Sequence, residues 1–351
     1  MVLLQTHRDA IPQTYVPRAI ELLHVSDYPS LMKTLILSQE DVRSVLTMDK
    51  ALDAVEKAFI AHGEGSALMP SKVYLDIPDH KGDFRAMPAR LKDAAGVKWV
   101  NSHPSNPVEH QLPSVMGLYV LSDPATAYPL AIMDATFLTA IRTGAAAGVA
   151  SRALAKPASK TLGLVGCGVQ AHFLIEAHRA IFGTELEVFV ADHSAEKANN
   201  FASKYGATAV PIDQASSCHI VCTSTPVRSP IVSRSWISNG SHINAVGADA
   251  PGKQELDTQI LIDGKIVIDE HHQAMSSGEI NVPIRAGKLK DDNIHATIGE
   301  ILTKKMVGRE ADEITIFDST GLAIQDVACA EIAFTKAKEA GIGVSVDIVC
   351  A

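Results

Sequence analysis

The chain has 351 residues, of which 46% are hydrophobic, 20% are charged and only 5% are aromatic. This length predicts two domains, each large enough to bury its own core, and the composition excludes a mainly disordered or fibrous protein. The 31 Lys and Arg residues against 40 Asp and Glu residues give a formal charge of −9, which argues against nucleic acid as a partner.

The cysteines predict neither a disulfide framework nor a metal site. They are odd in number and scattered, with no Cys-x-x-Cys or His-paired spacing, so we expect a reducing, cytoplasmic environment and no bound metal. No stretch of about 18 uninterrupted apolar residues occurs, so no membrane span is predicted. The five cysteines are Cys167, Cys218, Cys222, Cys329 and Cys350.

The chain begins with a segment, residues 1–31, that has three prolines, no clear period and none of the features of a secretory signal. We interpret it as a leader of unknown role. From Ser38 onward the spacing of apolar residues predicts one amphipathic helix, which Gly63 and Gly65 end. The residues that carry this spacing are Ala51, Ala54, Val55, Ala58 and Phe59.

Residues 72–121 contain short β-rich segments separated by Pro, Asp and Asn, which predict a mainly antiparallel sheet. The segments are 72–77, 84–87, 96–100 and 117–121. An apolar stretch at 129–133 then leads into an Ala-rich helix over about 135–154, which Pro157 stops and which we expect to link two domains.

After Lys160, strand-like and helix-like segments alternate, which indicates a parallel, doubly wound sheet. The first of these strands is followed by Gly166-Cys-Gly168-Val-Gln-Ala171, which fits Gly-x-Gly-x-x-Gly/Ala. The last segments, 313–318, a helix near 324–340 and 344–349, could extend this sheet or return to the first domain.

The glycine run predicts a dinucleotide site, because such a turn brings backbone N–H groups and the positive end of a helix to a pyrophosphate. Asp192 ends the next strand, about 20 residues on, where a carboxylate accepts hydrogen bonds from both ribose hydroxyls. It would repel a 2′-phosphate, and the next residues, His193 and Ser194, supply no Arg to hold one, so NAD is favoured over NADP. The alternative for Asp192 is a residue of the turn before a helix that starts at Ser194.

Several polar residues are candidates for the chemistry itself. Lys98 lies inside an apolar strand, where burial would lower its pKa and suit it to proton transfer, although a lone lysine more often lies on a solvent-facing side. Asp249 follows an apolar strand, at the edge where open α/β sheets bind ligands, although an Asp before Pro-Gly also forms turns. Lys72, Arg85 and Arg142 could clamp a carboxylate or phosphate, or be surface charges. The loop 317–321 could be only a helix cap.

Several runs together resemble the ornithine cyclodeaminase/μ-crystallin family, in the order found there and over nearly all of residues 32–351. Within that family the similarity is greatest to the archaeal-type alanine dehydrogenases. The runs are Gly82-Asp-Phe-Arg-Ala-Met-Pro-Ala, Val97-Lys-Trp-Val-Asn-Ser-His-Pro-x-Asn, Thr139-x-x-Arg-Thr-Gly-Ala-Ala, the glycine turn, Ala245-Val-Gly-Ala-Asp-Ala-Pro-Gly-Lys-x-Glu-Leu and Phe317-Asp-Ser-Thr-Gly.

The resemblance implies a homodimer of α/β fold. It comprises a substrate-binding and dimerisation α+β domain, residues 32–150 with a C-terminal return at 322–351, and a Rossmann domain with a doubly wound parallel sheet, residues 151–321. It implies that Lys98 and Asp249 are catalytic and that Lys72, Arg85 and Lys253 are near the substrate. The positions implied to contact NAD are Ser114, Arg142, Thr143, Gly166, Gly168, Val169, Gln170, Asp192, Thr225, Val246 and Thr320.

The leading hypothesis is an NAD-dependent amino-acid dehydrogenase that deaminates L-alanine to pyruvate and ammonia. Ornithine cyclodeaminase is the alternative, but the cyclodeaminases carry an acid where this chain has Arg85, and a second ammonium would be poorly received there. Imine reduction by the same residues and a crystallin-like nucleotide-binding protein without catalysis are further alternatives. The presence of both Lys98 and Asp249 argues against the last of these.

Overall fold

The computed structural model describes residues 33–349, so the predicted leader and Cys350 lie outside the described residues. This part of the chain forms two sheets. The first has seven strands in the order β15-β1-β6-β5-β4-β3-β2, and all neighbours are antiparallel except β1 and β6. Its strands are β1 Thr34–Leu37, β2 Val73–Ile77, β3 Gly82–Arg90, β4 Ala95–Ser102, β5 Val115–Ser122, β6 Pro129–Asp134 and β15 Val344–Val346. The mainly antiparallel sheet that the sequence predicts is confirmed.

The helices that accompany the first sheet are α1 Gln39–Val45, α2 Met48–Gly63, α3 Asn106–Glu109, α4 Thr136–Leu154 and α12 Ala323–Ala340. The prediction of one helix from Ser38 to Gly63 is wrong, because the chain forms α1 and α2 there. Ser38 begins α1 with a capping box, and extended backbone at Leu46 and Thr47 separates the two helices. The side chain of Leu46 is 1% exposed, so the break between the two helices packs against the core.

The second sheet has eight parallel strands in the order β13-β12-β14-β11-β10-β7-β8-β9. Its strands are β7 Thr161–Val165, β8 Glu187–Ala191, β9 Thr208–Ala209, β10 Ile220–Thr223, β11 His242–Ala245, β12 Lys265–Ile268, β13 Ile294–Thr297 and β14 Thr315–Asp318. Its helices are α5 Val169–Phe182, α6 Ala195–Tyr205, α7 Ile212–Ser216, α8 Thr258–Asp263, α9 His271–Ser277, α10 Asn281–Arg285 and α11 Ile298–Leu302. The doubly wound parallel sheet is confirmed.

The order of the strands creates a switch point between β7 and β10. From β7 the chain continues outward to β8 and β9 on one side, and from β10 it builds the sheet in the other direction. In open α/β sheets ligands bind beside the carboxyl ends of the strands at such a point. The fold therefore predicts a site above the ends of β7 and β10.

The C-terminal segments, which the residues alone left open, go to different sheets. β14 pairs with β11 and β12 inside the parallel sheet, whereas β15 pairs with β1 of the first sheet. Between them α12 packs with α2 and α4. The domain boundaries at residues 150 and 321 stay a prediction.

The two faces of the first sheet differ in environment. Arg85, Met87, Lys98 and Val100 share one face, because Arg85 pairs with Val100 and Met87 pairs with Lys98. This face is covered by the rest of the chain. The opposite face carries Trp99, and it is exposed. No helix among residues 33–349 is long and apolar enough to cross a bilayer.

Candidate functional site

The glycine turn after β7 has the geometry of an anion cradle. Gly166 has a φ of +100°, and a Cβ there would lie 2.7 Å from Cγ2 of Thr225, so a side chain would not fit. Gly168 is the N-cap of α5, makes no side-chain cap bond and has open space around it. The N–H groups of the first turn of α5 therefore lack a side-chain cap and face an open approach, as a pyrophosphate site requires.

Asp192 lies beside this turn, at the end of β8. Its carboxylate accepts hydrogen bonds from the backbone N–H of Cys167 at 2.9 Å and of Ser194 at 3.1 Å. Burial opposes ionisation, but these bonds and the nearby Lys197 lower the pKa of Asp192. Asp192 is thus both the charged acid expected near a ribose and part of the turn before α6, so the two interpretations of the sequence coexist. Nζ of Lys197, which the sequence analysis overlooked, lies 3.3 Å from the carboxylate.

Most of the other predicted cofactor positions lie near the same edge. Thr225, Val246 and Thr320 are in the loops that follow β10, β11 and β14. Val169 and Gln170 begin α5, and the Gln170 amide donates to the carbonyl of Ala140 in α4.

Two predicted cofactor positions, Ser114 and Thr143, lie among the elements of the first sheet and its helices. Ser114 precedes β5, where its carbonyl accepts from the N–H of His103. Thr143 is on α4, and its hydroxyl donates to the carbonyl of Thr139. Within residues 33–349 neither residue forms a hydrogen bond to the glycine turn, so their contact with the cofactor stays a prediction.

Lys98 is buried rather than solvent-facing. It is 1% exposed, on the covered face of the first sheet, and its Nζ lies 2.7 Å from Oδ2 of Asp326 on α12. Burial, followed by the positive charge of Arg142, lowers the pKa of Lys98 to about 7, while Asp326 opposes the shift. The amine of Lys98 can therefore gain or lose a proton near neutral pH, which suits acid–base chemistry.

Arg142 lies in the same ion-pair group as Lys98. Its Nε is 2.9 Å from Oδ1 of Asp326, and its Nη1 donates to the side chain of Gln325 at 2.9 Å. A Cβ on Gly321 would lie 2.8 Å from Nη1 of Arg142, so this glycine admits the guanidinium to the loop that carries Thr320. The resemblance implied a cofactor contact for Arg142, and in the structure Arg142 also shares Asp326 with Lys98, the lysine implied to be catalytic.

Asp249 lies between two cations. Its Oδ2 is 3.0 Å from Nη1 of Arg85 and its Oδ1 is 2.5 Å from Nζ of Lys253. Burial opposes ionisation, but Lys253 and then Arg85 hold the pKa of Asp249 well below its usual range. Arg85 also forms a two-bond pair with Asp83, at 2.8 and 3.0 Å. The guanidinium is thereby fixed in direction before any substrate arrives.

Lys72 completes the group of cations. Its Nζ donates to the carbonyl of Thr320 at 2.7 Å, and burial lowers the pKa of Lys72 to about 8. The group therefore has members from both sheets. Three of them, Lys72, Arg85 and Lys98, lie in or just before strands of the first sheet, and Asp249 lies in a loop of the second. They come together beside the predicted cofactor edge. Such a group can hold an anion and exchange protons with it.

Three acids that serve this site were missed by the sequence analysis. Asp83 fixes Arg85, Asp326 fixes Lys98 and Arg142, and Asp269 accepts from the N–H of Thr320 at 2.6 Å and of Gly321 at 2.8 Å. Asp269 follows an apolar strand just as Asp249 does, so the same signal could have found it. Asp326 lies in an Ala-rich helix, where no local pattern points to a partner in β4.

No group of three or more potential metal ligands occurs among the described residues.

A family model described as the ornithine cyclodeaminase/mu-crystallin family matches residues 32–341. The chain belongs to this family. It is 50% identical to the alanine dehydrogenase of Archaeoglobus fulgidus over 317 residues, which cover 89% of this chain and 98% of that protein.

Two solved structures share the fold. An archaeal alanine dehydrogenase dimer with bound NAD has a TM-score of 0.88 and 49% identity, covering 91% of this chain and 100% of that one. The Δ1-pyrroline-2-carboxylate reductase of Thermococcus litoralis, in complex with NADH and L-proline, has a TM-score of 0.85 and 36% identity. That match covers 89% of this chain and 100% of the reductase chain.

Proposed function

We propose that the chain is an NAD-dependent amino-acid dehydrogenase that interconverts L-alanine with pyruvate and ammonia. The observation that carries the proposal is that Lys72 contacts the loop after β14 and Arg85 contacts Asp249 in the loop after β11, at the carboxyl edge of the parallel sheet. Lys98 is buried on the same face of the first sheet as Arg85. The 50% identity to an alanine dehydrogenase supports the choice of substrate. The reaction is reversible, because hydride transfer and imine hydrolysis both run in either direction.

NAD fits the residues at the predicted cofactor edge. The uncapped first turn of α5 and the side-chain-free turn at Gly166 would receive the pyrophosphate, and Asp192 would accept from the ribose hydroxyls. The loops that carry Thr225, Val246 and Thr320 would line the rest of the dinucleotide. When bound there, NAD supplies the acceptor for the hydride from the α-carbon.

Lys72 and Arg85 would bind the substrate carboxylate. Asp83 holds Arg85 in place through two bonds, so part of the cost of ordering the guanidinium is met before binding. Lys98, buried beside Arg142 and Asp326, would orient the carboxylate. It would also polarise the carbonyl that develops when the carbinolamine, formed by addition of water to the imine, loses ammonia.

Asp249 would accept protons from the substrate amine and the attacking water. In the ligand-free chain Arg85 and Lys253 keep Asp249 ionised and weakly basic. A substrate carboxylate that pairs with Arg85 removes one of these partners from Asp249, and its pKa then rises toward the range useful for a base. The same binding event would therefore seat the substrate and activate the base.

Imine reduction is the second candidate, and the 36% identity to a pyrroline-2-carboxylate reductase favours it over ornithine cyclisation. The positive guanidinium of Arg85, which contacts Asp249 at 3.0 Å, disfavours a substrate with a second ammonium group. The dehydrogenase and the reductase differ in substrate while sharing the hydride step.

The first experiment is to follow NADH absorbance with purified protein, NAD and L-alanine at alkaline pH, beside a sample with L-ornithine that is also assayed for proline. NADH formation with alanine alone is expected. Proline without net NADH would replace the proposal with a cyclodeaminase. A Lys98→Ala protein should lose at least about a hundredfold in kcat, and near-normal turnover would remove Lys98 from the mechanism.

We also propose that the protein is a cytoplasmic homodimer. The exposed apolar face of the first sheet supports the dimer, since contiguous apolar patches usually mark interaction sites. Within residues 33–349 the four cysteines are free and buried, which supports a reducing compartment.

A further inference from the structure

Glu255 lies near the end of the run that carries Asp249, and the proposed function gives it no role. The residue is 0% exposed. One carboxylate oxygen accepts from the N–H and the hydroxyl of Thr225, each at 2.7 Å. The other accepts from the hydroxyl of Thr223 at 2.7 Å and from the N–H of Gly247 at 2.9 Å. Three of the four bonds are therefore directed to two loops at the carboxyl edge of the parallel sheet, and the fourth to Thr223, the last residue of β10.

These two loops are the ones that follow β10 and β11. Thr225 in the first is a predicted cofactor contact, and the second runs from Val246 to Asp249. The Gly247 carbonyl accepts from the N–H of Asp249 at 3.0 Å, so a shift of Gly247 also moves the proton-handling residue. Glu255 thus connects the predicted cofactor edge to the predicted base.

The contact at Gly247 depends on the absence of a side chain. A Cβ there would lie 2.5 Å from Oε2 of Glu255 and 2.5 Å from the carbonyl oxygen of Thr225. Only a glycine allows the carboxylate and the two loops to approach this closely. The glycine at position 247 therefore lets the carboxylate of Glu255 lie against both Gly247 and the Thr225 loop.

The backbone of Glu255 is itself fixed on both sides. Its N–H donates to the carboxylate of Glu279 at 2.9 Å, and its carbonyl accepts from Ile231 at 2.8 Å and Val232 at 3.1 Å. The N–H of Glu279 donates in turn to Asp318 at 2.8 Å, at the end of β14. The carboxylate of Glu255 therefore projects from a rigid support into the gap between the two loops.

We propose that Glu255 is a positioning residue that holds the Thr225 loop and the 246–249 loop in the geometry that binds the dinucleotide and aims Asp249. This inference rests on the proposed function for the identity of the cofactor and of the base. A glutamine would retain the shape, but its NH2 group would face N–H or hydroxyl donors, so at least one of the four bonds is lost.

The test measures the Kd of NADH by its fluorescence on the full chain, with no amino acid present. We expect Glu255→Gln to raise this Kd at least tenfold and to lower kcat with L-alanine further still, because Asp249 also shifts. Glu300→Gln is the matched control, since Glu300 accepts from the N–H and hydroxyl of Thr297 at 2.8 and 3.0 Å. Thr297 ends β13, the outermost strand of the sheet, which β12 and β14 separate from β11. The Kd of the Glu300→Gln protein should stay within twofold of wild type.

Thr223→Val gives a second, milder variant that removes one donor and keeps the shape. We expect it to raise the Kd of NADH about threefold or more, and to add little in the Glu255→Gln background because the two changes remove the same bond. A purely structural role would lower the midpoint of urea unfolding while leaving the Kd of the folded protein unchanged.

A folded Glu255→Gln protein with a Kd within twofold of wild type would overturn the proposal. If that variant does not fold, an unchanged Kd in Thr223→Val would overturn it. Wild-type protein that binds NADH but does not oxidise alanine would refute the dehydrogenase assignment, while the ratio of NADH Kd values would still decide the role of Glu255.

Discussion

Lys98 and Lys72, which we propose to contact the substrate, have lowered pKa values of about 7 and about 8. Burial is the largest cause for both, and in each case it favours the neutral amine. An anion binds best when both amines carry a proton. The affinity of the enzyme–NADH complex for pyruvate should therefore be constant below pH 7 and fall as the pH rises through both pKa values.

We expect the Kd for pyruvate, read from NADH fluorescence without ammonia, to rise about tenfold per pH unit just above pH 7 and more steeply above pH 8. Lys98→Arg keeps its charge throughout this range. That variant should retain only the step near pH 8. A wild-type Kd that is flat between pH 6 and 9 would show that neither amine contacts the carboxylate.

We expect Asp192 and Lys197 together to set the preference for NAD over NADP. Asp192→Ala removes the carboxylate that we expect to accept from the ribose hydroxyls. It also removes the ion-pair partner of Lys197, whose Nζ lies 3.3 Å from that carboxylate, and so frees Lys197 to hold a 2′-phosphate. Hydrogen bonds to a charged group contribute about 1.5–3 kcal/mol, so kcat/KM for NAD should fall about 10- to 100-fold while that for NADP falls less or rises.

Steady-state kinetics with both cofactors check this expectation. In the double variant Asp192→Ala, Lys197→Ala, the relative gain for NADP should disappear. An Asp192→Ala protein that keeps the wild-type ratio for the two cofactors would mean that Asp192 acts only in the turn before α6.

What sequence could predict at this scale depends on where a residue's partner lies. Asp192 and Asp249 were recognisable because each follows an apolar strand, and strand ends gather at one edge of a parallel sheet. Burial of Lys98 depends on Asp326, which is more than two hundred residues away in the chain. No pattern near either residue encodes that pairing, so the residues alone favoured the solvent-facing side for Lys98, and only the resemblance implied a catalytic role.

At the level of elements, α2 and α11 cross at a pair of glycines. A Cβ on Gly299 would lie 2.8 Å from the carbonyl oxygen of Phe59 and 2.9 Å from Cα of Gly63. Overpacking of this kind costs about 1–3 kcal/mol. Gly299→Ala should lower the free energy of unfolding by about that amount, as measured by urea at equilibrium.

Gly168→Ala is the control for stability, because its Cβ would meet nothing within 4 Å. It should cost less than Gly299→Ala, and only through the weaker N-cap. Equal losses in the two variants would contradict the close crossing of α2 and α11.

The strands and long helices were largely predictable because their apolar period is local. The break between α1 and α2 was not predictable. The apolar residues on both sides of Leu46 continue the helical spacing, but the chain turns there and buries the side chain of Leu46. The pairing of β15 with β1 also has no local signal in the sequence. These strands are far apart in the chain, and the completed first sheet decides that they pair.

At the scale of the whole molecule, the register of the first sheet explains why one chain leaves an apolar surface open. Val73, Ala86, Trp99 and Leu118 pair in turn across β2, β3, β4 and β5, so they lie in one row on one face. Trp99 is 44% exposed and Leu118 is 55% exposed. Because side chains alternate along a strand, placing Lys98 against the core necessarily turns Trp99 outward.

A second copy of the chain would cover this row, and Leu118→Glu tests that expectation. A carboxylate in the middle of an apolar interface would be buried without a partner, so the variant should sediment as a monomer at concentrations where wild type is a dimer. Val307→Glu is the control, since Val307 is 58% exposed and lies outside the first sheet. It should leave the sedimentation coefficient unchanged. A monomeric wild type, or a Leu118→Glu dimer, would place the contact between subunits on another surface.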